Sequence, residues 1–215
     1  MAMRLISWGL IVALLDLRLN GFDMLPDVVG WALVLVGLTE LLGEKKPEGG
    51  RREFSRARIA ALVALVAEVL LLGLYFSERP FRVLDSAADV LVGLATLAMV
   101  WWLLHGIAER VGEARLPAGD GLKTQALAPA GWERQRALTL AHRFLVVQTL
   151  MVAGACVALV LAATGAEWSY RADGLEGLLV VALAVVAVVV GIQVVWFVHR
   201  QAEAPTWVAA SGSAG

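Results

Sequence analysis

Asp16-Leu17-Arg18-Leu19-Asn20-Gly21-Phe22-Asp23-Met24-Leu25-Pro26-Asp27-Val28-Val29-Gly30 is a polar knot between two apolar runs, Leu5–Leu15 before it and Val28–Leu42 after it. A helix needs about 20 apolar residues to cross the hydrocarbon core of a bilayer, and each run is long enough to enter one. The knot therefore reads as the turn of a helical hairpin. Its charges, Asp16, Arg18, Asp23 and Asp27, are costly to bury in lipid and must be paired or reach the surface.

The rest of the chain repeats this layout. Long apolar runs fall at about 3–19, 26–42, 59–76, 86–107, 138–164 and 174–198. Short turns at 20–25, 77–85 and 165–173 join them in pairs, and longer connections at 43–58 and 108–137 separate the pairs. The expected fold is thus all-α: one integral membrane bundle of six transmembrane helices in three hairpins over residues 1–203, with a disordered tail over 204–215. Expected neighbours are helix one with two, three with four, and five with six. The first connection, from Gly43 to Glu53, reads as a charged Gly/Pro loop. In the second, Leu116-Pro-Ala-Gly and Ala128-Pro-Ala-Gly read as loop signals, followed by an interfacial start to helix five over 132–143.

Composition agrees. The chain is 60% hydrophobic and 17% charged, with a mean hydropathy of +0.75, whereas globular chains average roughly 45–50% apolar. A net charge of −1 carries no basic footprint for nucleic acid. The single Cys156, inside an apolar run, excludes an intrachain disulfide and a cysteine-based metal site. Arg4 followed by Leu5–Leu15 imitates a signal peptide, but Asp-Leu-Arg follows where a small-residue cleavage site is required, so this segment reads as the first span.

Lys and Arg set the expected orientation. Fourteen of the eighteen lie at the termini and in the two long connections, and only Arg18, Arg79, Arg82 and Arg171 lie in the short turns. Cytoplasmic flanks collect such residues, which places both termini inside and the acidic turns outside. The turns also echo one another. Asp23 and Asp27 precede one apolar span as Asp85 and Asp89 precede another, and Asp173 with Glu176 repeats the idea loosely, as tandem duplication of a hairpin would produce.

Within these turns, Asp23 with Asp27 and Asp85 with Asp89 are each four apart at an expected helix start, which puts each pair on one helix face. Two readings stay open: capping of free backbone N–H groups, worth roughly 0.5–2 kcal/mol, or binding of a cation or headgroup, including a divalent metal completed by water. Asp16 and Arg18 read as partners in ion pairs between hairpins or as part of a binding site. Glu68 lies mid-span, where a carboxylate costs about 2.5–3.5 kcal/mol on insertion scales. It should face the bundle interior near Thr96, either hydrogen-bonded between helices or serving as a proton, ion or ligand site. No His pair at metal spacing, Gly-rich phosphate loop or Ser-His-Asp set is present, so the leading expectation is a non-enzymatic membrane-embedded binding or partner subunit without a cofactor. The alternatives are a proton- or cation-linked transporter or channel using Glu68, and an outer-face lipid-headgroup enzyme acting through Asp23, Asp27, Asp85 and Asp89 with a divalent cation. The expected partners are the lipid bilayer and a lipid, a cation or another membrane protein.

From Asp16 to about Leu42 the chain resembles a group of uncharacterised multi-pass membrane proteins of Gram-positive bacteria, through the turn Asp23-x-Leu25-Pro26-Asp27-x-x-Gly30-Trp31. The resemblance implies a bacterial integral membrane protein with an outward first turn, and the expected location is the bacterial plasma membrane. It implies family positions without an assigned role, and no activity.

Overall fold

The computed structural model describes residues 1–14, 18–19, 22–23, 27–43, 49–75, 82–113, 128–164 and 175–203. Six helices dominate: α1 (Ala2–Leu14), α2 (Asp27–Gly43), α3 (Arg51–Tyr75), α4 (Arg82–Glu113), α5 (Ala128–Thr164) and α6 (Leu175–Ala202). A minimal antiparallel pair, β1 (Arg18–Leu19) with β2 (Phe22–Asp23), stands between α1 and α2, in a register that sets Arg18 opposite Asp23. Asp16, residues 76–81 at the second turn, the third turn and the tail from residue 204 lie outside the described residues.

Three helices, α4, α5 and α6, contain stretches long and apolar enough to cross a membrane: Ala87–Gly112, Gly131–Val157 and Ala182–Ala202. The surface is that of a membrane protein. Along α3 the buried positions are Phe54, Ala57, Ala61, Ala64 and Ala67, while Ile59, Leu62, Val66, Val69 and Leu70 are at least half exposed. Water would favour the opposite arrangement. In lipid, large side chains lose nothing by facing outward, and small ones let helix backbones approach.

Each helix packs on its neighbours in sequence, and α6 closes onto α1, so the six form a ring. Adjacent helices run antiparallel: Gly37 lies against Ala2 and Ile6, Phe54 against Gly106, and Ser7 bonds His199. The expected pairings of α1 with α2 and α3 with α4 are present. α5 and α6 also pack on each other, although α5 packs more extensively on α4. Gly93 contributes to that seam: a Cβ there would stand 2.9 Å from a methyl of Val152.

Two expected loops are partly helical. Helix α3 starts at Arg51, not near residue 59. Gly50, at φ +73°, turns the chain, and its carbonyl accepts the Phe54 N–H at 2.9 Å. Burial of Phe54 and Ala57 then anchors the charged first turns. Helix α5 starts at Ala128, so the Ala-Pro-Ala-Gly read as a loop is its first turn. Proline suits that position, since its missing N–H has no helical partner there.

Packing is densest in the half of the ring that holds the start of α1 and the C-terminal end of α6, where Ile6, Leu38, Phe54, Leu103, Phe144 and Phe197 are buried. Trp31, Val34 and Ala67 extend the core toward the other end.

Candidate functional site: an acidic chamber in the helix ring

A cavity of about 850 Å³ is lined from all six helices. That lies within the roughly 300–1,000 Å³ typical of small-molecule sites. Its wall is mostly apolar, with Ala184, Val188 and Ile192 from α6, Met151 and Val152 from α5, and Ile11 and Leu14 from α1. On α6 the lining runs from Ala184 to His199, roughly 22 Å at 1.5 Å per residue.

Three carboxylates line it: Asp27 from α2, Glu68 from α3 and Asp89 from α4. Asp27 opens α2, where an acid meets the positive end of the helix dipole, so the capping reading and the lining role coexist at this residue. Glu68 is half-buried and Asp89 exposed. The register set by Phe54 against Gly106 and Arg56 against Trp102 carries Glu68 to about the level of Asp89 and Val92. The expected partner Thr96 lines the same cavity, but its hydroxyl donates to the Val92 carbonyl of its own helix at 2.8 Å.

Neutral polar groups complete the wall. Gln148 Nε2 donates to the Gly93 carbonyl at 3.5 Å, and His199 Nδ1 shares a 3.3 Å hydrogen bond with the fully buried Ser7 Oγ. Trp8, Trp31 and Trp196 supply aromatic surface. Trp31 is 1% exposed, and its indole N–H is buried with no hydrogen-bond partner among the described residues. An unmet buried donor costs about 1–3 kcal/mol. Trp31→Phe is therefore expected to leave thermal stability in detergent unchanged or slightly higher, while weakening a cavity ligand that accepts from this N–H severalfold.

The acidic pairs separate. Asp23 belongs to β2, so it does not share a helix face with Asp27 as expected; α2 starts only at Asp27. Arg18 stands opposite Asp23 in the strand pair. Asp85 and Asp89 do share α4, but the helix begins at Arg82, which puts Asp85 inside its first turn rather than at its cap. The side chains of Arg18, Asp23 and Asp85 lie outside the described residues. Of the seven expected site residues, Asp27, Glu68 and Asp89 come together. Trp31, Gln148 and His199 join them without having been assigned a site role, though Trp31 lies four residues after Asp27, which is helical spacing for one face.

Among the described residues no three of His, Cys, Asp and Glu stand close enough together to hold a metal ion. The three carboxylates are distributed around a wide apolar chamber, an arrangement suited to a large, diffuse positive charge. In such low-dielectric surroundings, attraction between a carboxylate and a cation far exceeds its value in water, and indole faces add cation–π attraction of roughly 0.5–2 kcal/mol. Compared with known protein families, characterised proteins and solved structures, the chain has no match.

Proposed function

We propose that this chain is a non-enzymatic, membrane-embedded binding protein that holds an amphipathic organic cation in the helix ring. The observation that carries the reading is the convergence of Asp27, Glu68 and Asp89, from three helices, on one largely apolar cavity lined by tryptophans. The packed half of the ring, with Leu103 and Phe197 fully or almost fully buried, supports a blind chamber over a through-channel. Half-exposed wall residues such as Trp8, Val188 and Ile192 leave the chamber accessible.

In this reading the ring sits in a bacterial plasma membrane as three hairpins. The termini and the basic connections lie in the cytoplasm, and the end of the chamber that holds Asp27 and Asp89 faces outward. The bias of Lys and Arg supports the orientation, and the likeness of residues 16–42 to bacterial multi-pass proteins supports the setting.

Equilibrium dialysis of the detergent-purified protein with tetraphenylphosphonium, beside the neutral triphenylphosphine oxide, tests it. Saturable binding of the cation at least tenfold tighter than of the neutral compound is expected. Equal binding of the two would remove charge recognition from the account.

A second reading, a transporter linked to protons or cations through Glu68, is favoured by the placement of that carboxylate on the cavity wall. It requires the packed half to open. It predicts pH-dependent flux in liposomes that Glu68→Gln abolishes.

A further inference from the structure

The end of the ring with the packed core carries a second, oppositely charged feature. Trp196 of α6 is half-exposed, and two guanidinium groups stack against it from different helices: Arg136 of α5 at 5.3 Å from its ring centroid and Arg200 of α6 at 5.7 Å. Arg136 also lies 4.9 Å from the ring of Trp132, itself 55% exposed. Arg136 and Arg200 thus bring two guanidinium groups from two helices to one indole. Two guanidiniums this close on one indole concentrate positive charge, which favours an anion bridging them.

Directly along α6 from Arg200 and Trp196, at helical spacing, run Ile192, Val189 and Val185, each about half exposed. A charged head position thus continues into an apolar stripe on one helix face. Free phosphate would use only the first part of this surface. An anionic phospholipid uses both, with its phosphodiester accepting from the two guanidiniums and an acyl chain lying on the stripe. Guanidinium suits this role, since its planar fork matches phosphate oxygens.

The geometry points to a binding site for an anionic phospholipid at the α5/α6 seam, built from Arg136, Arg200, Trp196 and Trp132. The site rests on observations separate from the cation reading, although Trp196 and Ile192 also line the chamber, so a lipid seated here stands at the chamber's rim.

Native mass spectrometry of the full chain, released from detergent with added phosphatidylglycerol or phosphatidylcholine, tests the assignment. Wild type is expected to retain phosphatidylglycerol at least tenfold more strongly than phosphatidylcholine. Arg136→Gln/Arg200→Gln should abolish the preference, whereas Arg134→Gln, which removes an exposed arginine of the same helix that makes no such stack, should preserve it. Excess inorganic phosphate should fail to displace the lipid. Loss of the preference in Arg134→Gln to the same degree would show general surface charge at work and overturn the site. So would equal retention of the two lipids by wild type, or displacement by phosphate alone. Should the double variant prove unstable, Trp196→Leu, which keeps both charges but removes their common platform, is expected to lower the preference severalfold; an undiminished preference would also overturn the site.

Discussion

Glu68→Gln is expected to weaken tetraphenylphosphonium binding by roughly ten- to a hundredfold, the equivalent of the about 1.5–3 kcal/mol carried by an interaction with a charged group. Gln keeps the shape and hydrogen-bonding capacity of the side chain, so the thermal midpoint in detergent should move little. The loss should be specific to the cation, with triphenylphosphine oxide unaffected. Asp89→Asn should show a smaller loss in the same direction, since Asp89 is exposed and better screened than the half-buried Glu68. Paired titrations of wild type and both variants by quenching of tryptophan fluorescence provide the measurement, with Trp8, Trp31 and Trp196 on the cavity wall as reporters. Unchanged affinity in Glu68→Gln would remove this carboxylate from recognition.

The second large effect lies in the contact between α1 and α2, which holds Asp27 and Trp31 against the chamber. A Cβ on Gly30 would stand 2.6 Å from the Ala13 nitrogen and 2.8 Å from the Gly9 carbonyl oxygen. A Cβ on Gly9 would stand 2.6 Å from the Gly30 oxygen. These are backbone atoms, so no rotamer change relieves the clash and the helices must separate. Gly30→Ala should cost about 1–3 kcal/mol as overpacking, lowering the thermal midpoint by roughly 5 °C. Cation affinity should fall with it, because Asp27 and Trp31 shift away from the other walls. Gly154→Ala is the matched control. Nothing lies within 4 Å of its Cβ position, so it should be neutral or stabilise by roughly 0.5–1 kcal/mol. Equal midpoints for the two variants would contradict the packing described.

Hydropathy alone located the helices, because a run such as Val180–Val190 has no other reading. It placed their ends poorly wherever charge and apolar anchoring compete. The turns Arg51–Arg58 look like loop by composition, yet Phe54 and Ala57 pin them to the core. Ala128-Pro-Ala-Gly looks like a turn because proline breaks helix interiors, and it is a helix start where proline is tolerated. The closure of α6 on α1 leaves little local trace, since Ser7 and His199 are far apart in sequence.

The site was half legible. A mid-span carboxylate has to face the interior, and that argument led to Glu68. Repetition of the acidic pairs was a poorer guide. It grouped Asp23 with Asp27 and Asp85 with Asp89 by sequence, whereas the chamber takes Asp27 and Asp89 from different helices and adds Glu68. Gln148 and His199 sit on helices whose other residues give no sign of which face is turned inward, and only the ring geometry distinguishes them from ordinary polar residues near helix ends.

The most direct test of a cation-binding chamber is photolabelling of the detergent-purified protein with a diazirine-bearing quaternary ammonium, followed by peptide mapping. The account predicts adducts concentrated on α1, α5 and α6 at wall positions such as Trp8, Met151 and Ile192, suppressed by excess tetraphenylphosphonium and reduced in Glu68→Gln. Adducts spread over outward apolar faces, such as Leu62–Leu70 of α3, and insensitive to competitor, would contradict it.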